Sequence, residues 1–79
     1  MFSYTISKNA NKKEFENACL KLEKAIKIIK KVELIEDVDG SMVQIYEVND
    51  SRIKVVDDYE VDAVYIDSEI DLKDIFSVE

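Results

Sequence analysis

The side chains best suited to chemistry in this sequence are carboxylates. They occur in close groups: Glu36-Asp37, Asp57-Asp58, Glu60 with Asp62, and Asp67, Glu69, Asp71. Acids at such spacing can share acid and base roles in glycoside hydrolysis or hold a magnesium ion. Such sites need a cleft, and a chain of 79 residues has little volume to build one. The groups are therefore expected at turns and on a solvated rim, where Asp and Glu ordinarily lie. Asp37, Asp39 and Gly40 fit the third, fifth and sixth positions of a calcium loop. Its first and last positions would be Ile35 and Tyr46, which supply no ligand, so a hairpin turn explains the same residues better.

Counts exclude much of the remaining chemistry. The chain has no histidine, one cysteine and one glycine. His-based acid–base catalysis and Ser-His-Asp or Cys-His nucleophiles are therefore absent. So are the usual structural zinc sites, the P-loop and the dinucleotide fingerprint. No catalytic residue, metal or cofactor is assigned. Cys19 falls on an apolar helix face and is expected to be a core thiol. Asn49-Asp50-Ser51 matches a glycosylation sequon. The N-terminus has no apolar signal region and no stretch approaches the ~20 apolar residues of a membrane span. A cytoplasmic protein with no membrane contact is expected, and the sequon match is then chance.

Charge is unevenly distributed. Residues 1–31 carry eight lysines and three glutamates, a balance of +5, whereas residues 32–79 carry −12. An acidic half repels phosphates, so nucleic acid is not expected as a direct ligand; a basic protein partner is compatible. The same acids could instead imitate nucleic acid and block the groove of a DNA- or RNA-binding enzyme, as small phage or mobile-element inhibitors do. Lysines on the helix could in principle meet a membrane or phosphates. Arginine, the preferred reader of phosphate and base edges, occurs once.

The elements that must position these groups begin with a helix over 11–31. Phe15, Ala18, Cys19, Leu22, Ala25, Ile26 and Ile29 recur at helical spacing and share an arc about 120° wide. Asn11 is placed to cap the first turn, with Glu14 completing a capping box. Glu23 and Lys27 are spaced for an ion pair. Leu20 and Ile28 project from the lysine-rich back. Before the helix, Phe2, Tyr4 and Ile6 alternate with polar residues as a short strand.

After the helix the period becomes two. Strands are predicted from Val32 to Val38, Met42 to Val48, Ser51 to Val56 and Val61 to Ile66. Asp39-Gly40 and Asn49-Asp50 are read as two-residue hairpin loops. That register puts Leu34 opposite Ile45 and Tyr46 opposite Ile53. One face then collects Val32, Leu34, Val38, Val43, Ile45 and Val56. The other collects Ile35, Met42, Tyr46, Val48, Ile53 and Val55. A single helix covers one of these apolar faces, leaving the other to the C-terminal tail or to another chain. The tail, Ile70 to Phe76, is expected to form one or two helical turns with Leu72, Ile75 and Phe76 on one face.

The expectation is one α+β domain: a long amphipathic helix on an antiparallel meander of three or four strands, with a short N-terminal strand and a helical tail. Its function is expected to be non-enzymatic protein binding, with a basic partner or a second copy as a homodimer. Contact is expected through the bare sheet face (Tyr46, Ile53, Val55) and an acidic rim (Asp57, Asp58, Glu60, Asp62). The alternatives are a nucleic-acid-mimic inhibitor and a small metal-dependent enzyme using clustered acids.

Overall fold

The computed structural model describes residues 1–76. It is an α+β arrangement of one helix on a five-stranded antiparallel sheet. In chain order the elements are β1 (Phe2–Ser7), α1 (Lys12–Ala25), β2 (Lys30–Glu36), β3 (Met42–Val48), β4 (Ser51–Asp58) and β5 (Ala63–Ser68). Strand order is β1-β5-β4-β3-β2, so β2 to β5 form a four-strand meander and β1 joins beside β5. Since every neighbouring pair is antiparallel, β1 and β2 run in the same direction at opposite edges.

The helix is shorter than its apolar periodicity predicts. Asn11 caps it as expected, accepting the N–H groups of Lys13 and Glu14. It stops at Ile26, whose backbone is extended, and the chain enters β2 at Lys30. Residues 26–29 include three isoleucines, which lose side-chain freedom in a helix and fit strands better. Pairing of Lys30 with Glu47 then outweighs another helical turn. The expected Glu23–Lys27 pair gives way to an ion pair between Glu23 and Lys31 at 3.4 Å.

The β2–β3 hairpin also departs from expectation, and this has the larger consequence. Asp39-Gly40 is not a two-residue loop. The Asp37 N–H donates to the Ser41 carbonyl and the Gly40 N–H to the Asp37 carbonyl, so Val38, Asp39 and Gly40 form a three-residue loop. Gly40 takes φ 96°, the left-handed position that this loop requires. One extra loop residue moves the register by one: Leu34 faces Gln44 and Ile35 faces Val43. The strand's side chains exchange faces accordingly. The Asn49-Asp50 turn behaves as expected, with Glu47 opposite Arg52 and Tyr46 opposite Ile53.

The core lies between the helix and one sheet face. Phe15, Ala18 and Leu22 from α1 meet Tyr4, Tyr46, Val48, Ile53, Val55, Val64 and Ile66. The tail closes the same layer, not the opposite one. Asp71 accepts the N–H of Lys73 and the Tyr4 hydroxyl, and Leu72 to Phe76 make a single turn. Leu72 and Phe76 are buried in the core, and Lys21 sits 5.3 Å above the Phe76 ring. Among the described residues no helix is long and apolar enough to cross a membrane.

Candidate functional site

With helix and tail both on one side, the opposite sheet face has no second layer among the described residues. Register places a row across it: Ile35, Val43, Val56, Tyr65 and Thr5 stand side by side on five strands. The next row is Glu33, Ile45, Lys54, Asp67 and Ser3. Ile45 and Val56 lie outside the core cluster and are shielded by flanking strands. Ile35 is exposed, and Val43 and Tyr65 are half-buried. Burial, reinforced by the charges of Asp58 and Asp67, raises the Tyr65 pKa, so its phenol stays neutral.

Acids crowd one end of this face. The β2–β3 and β4–β5 turns converge there, joined by the Tyr59 N–H donating to the Ser41 hydroxyl and by the Tyr59 ring lying against Gly40. A groove of about 250 Å³ has Ile35, Val43 and Val56 on its floor and Asp37, Asp39, Asp58 and Glu60 on its rim, with no cation lining it. Three of the four carboxylates also shape their turns. Asp37 accepts the Val38 N–H, Asp39 the Ser41 N–H, and Asp58 the N–H groups of Glu60 and Val61. The Ser41 N–H and hydroxyl lower the Asp39 pKa. Among the described residues, no three Cys, Asp or Glu side chains come close enough to share a metal ion. The arrangement offers apolar contact and negative charge.

A second groove, of about 470 Å³, lies on the helix side between α1 and β2. Leu20, Cys19, Leu34 and Met42 line it, with Lys31 and Glu36 along the strand. Leu20, expected on the helix back, is half exposed above it, whereas Ile28 lies beyond the end of α1.

The expected contact residues divide sharply. Tyr46, Ile53 and Val55 are fully buried beneath the helix, so the face expected to be bare is the covered one. The Tyr46 hydroxyl donates to Glu23, and burial drives its pKa far upward. Asp57 is also fully buried: one carboxylate oxygen accepts the Asn11 N–H at 3.0 Å and the other has no partner. It occupies the place that the capping box assigns to Glu14. Asp62 is exposed but ties down the segment before the helix, accepting from the Ala10 N–H at 2.7 Å and the Asn9 amide at 3.1 Å. Only Asp58 and Glu60 belong to the open groove.

The residues missed are Val43, Val56 and Tyr65, together with Asp37 and Asp39 as rim groups. A signal was present for the turn acids and for Ile35. Asp37-Val38-Asp39-Gly40 has aspartate first and glycine fourth, the signature of a type I turn, which implies the longer loop and so places Ile35 beside Val43.

No family model, curated protein sequence or solved structure matches this chain. Its functional reading rests on its own geometry.

Proposed function

We propose that this chain is a small non-enzymatic protein-binding module. Its contact surface is the uncovered sheet face, read through Ile35, Val43 and Tyr65 with the rim acids Asp37, Asp39, Asp58 and Glu60. One observation carries the reading: an apolar groove floor ends in four carboxylates with no cation lining it. A partner that buries apolar side chains there and brings lysine or arginine to the rim satisfies both halves of the surface. A reducing, cytoplasmic setting accords with a single, half-buried thiol.

The test is capture from lysate by the native chain and by two surface variants, Val43→Asp and Asp58→Lys with Glu60→Lys. A specific partner should be retained by the native protein, lost by both variants, and released steeply as salt rises. A basic groove that normally holds nucleic acid is one such partner, and added DNA would then compete for capture. Equal capture by native protein and both variants would remove the open face from the argument.

A further inference from the structure

The sheet has two edges, and they are treated differently. At β1 the tail braces the strand: the Tyr4 hydroxyl donates to Asp71 and accepts the Leu72 N–H. At β2 no comparable brace is present among the described residues. All seven residues of Lys30–Glu36 are exposed, including Val32 at 46%, Leu34 at 50% and Ile35 at 44%. The helix packs mainly over β4 and β1 and reaches β2 through the Glu23–Lys31 ion pair. An edge with free backbone groups and apolar side chains on both faces is a template for another strand.

The geometry points to a second copy of this chain as that strand, paired antiparallel through β2 about a two-fold axis. The argument is charge complementarity read through a bulge. β2 begins with Lys30-Lys31 and ends with Glu36, followed by Asp37, so reversing it sets opposite charges together. A parallel partner would set lysine on lysine. The bulge at Val32, between Lys31 and Glu33, fixes which residues share a side. Lys31, Leu34 and Glu36 stand beside Tyr46, Gln44 and Met42 on the helix side; Lys30, Glu33 and Ile35 stand beside Glu47, Ile45 and Val43 on the open side.

One register respects those sides throughout. Leu34 meets its own counterpart on the axis, and Glu33 meets Ile35. The bulge skips Val32, Lys31 meets Glu36, and Lys30 meets Asp37. No like charges stand opposite. The skip is the one β2 already makes against β3, where Lys31 faces Tyr46 and Glu33 faces Ile45. Bulges and lysines often blunt an edge; here the bulge aligns the two strands and each lysine has an acid to meet. On the helix side, Leu34 and Leu20 of both copies form an apolar seam. On the other side the two open faces join into one ten-stranded surface, which an isologous interface requires to be identical in both copies.

Sedimentation at rising protein concentration tests this. The native chain should approach twice 9.1 kDa. Leu34→Asp, which alters an exposed side chain, should remain at single mass with an unchanged circular-dichroism spectrum and a melt that no longer depends on protein concentration. Lys31→Glu and Glu36→Lys should each be single-mass alone and double-mass when mixed, since only the mixture restores opposite charges at both ends. A native protein of single mass at every concentration overturns the proposal. So does a double mass that survives Leu34→Asp, or a mixture that stays at single mass. None of these outcomes bears on capture by the open face, so the two readings fail separately.

Discussion

Asp57, at the end of β4, accepts the backbone N–H of Asn11 at 3.0 Å, and Asn11 in turn caps α1. A strand residue 46 positions downstream thus anchors the start of the helix. The connection gives a fully buried carboxylate a backbone donor. Its second oxygen remains without a partner.

Replacing Asp57 with alanine leaves the Asn11 N–H without its acceptor in the fold. Loss of a buried hydrogen bond of this kind should cost about 1–3 kcal/mol. Urea unfolding followed by circular dichroism measures it. Asp57→Asn keeps an acceptor oxygen, so it should cost less than alanine. An equal cost would show that the hydrogen bond is not what Asp57 contributes.

Gly40 holds the three-residue loop that sets the sheet register. Its φ of 96° is strained for any L side chain. Gly40→Ala should therefore destabilise by roughly 1–2 kcal/mol. Space is not the obstacle, because an added Cβ would meet the Tyr59 ring at 3.7 Å, an ordinary contact. Tyr59→Ala should accordingly leave most of the Gly40→Ala cost in place. A double-mutant cycle in urea decides between strain and crowding.

Tyr46 and Tyr65 separate the two sheet faces. Tyr46→Phe removes the hydroxyl that donates to Glu23 and should cost about 1 kcal/mol of stability. Partner capture should be unchanged, since Tyr46 is beneath the helix. Tyr65→Ala should reduce capture. If Tyr46→Phe alone weakened binding, the open face would be the wrong surface.

Acid should unfold the protein through specific turn carboxylates. The pKa of Asp39 is lowered by Ser41, that of Asp62 by the Ala10 N–H and Asn9, and that of Asp71 by the Lys73 N–H and the Tyr4 hydroxyl. A lowered folded-state value means that the unfolded chain binds these protons first. Their contribution is complete above the unfolded value of about 3.9 and is lost as pH falls through the lower folded values. Tyr46 and Tyr65 act at the other end: their values are raised by burial, so stability is lost above about pH 10. The Cys19 thiol, raised by burial, begins the alkaline loss above about pH 8.5, so thermal melts should be level from about pH 4 to about pH 8.5. Asp62→Asn should reduce stability at neutral pH and flatten the acid limb.

Much of this fold was legible because its signals are local. Asn11 as a cap, the Phe15, Ala18 and Leu22 stripe, the Asn49 turn and the alternating strands each depend on residues within a turn or a few positions of one another. So does the tail, whose Leu72 and Phe76 were expected to share a face. The helix end was not legible, because Ile26 and Ile29 suit either a helix stripe or the approach to a strand. Only pairing with β3, made by residues some seventeen positions away, decides between them. The site was harder still. One loop residue at Asp37–Ser41 moved Leu34 to the helix side and Ile35 to the open side, while packing of α1 and the tail put Tyr46, Ile53 and Val55 beneath the helix and left Val43, Val56 and Tyr65 on the other face.

By itself the sequence determined that this chain lacks histidine chemistry, divides its charge between a basic front and an acidic remainder, and makes one helix and several strands. Those follow from counts and short-range periodicity. Which face of the sheet the helix covers, where the tail lies and what Asp57 does were decided only when the chain closed on itself. The physical reason is parity: alternation marks two sides of a strand equally well, and a long-range register must choose the one that faces the helix.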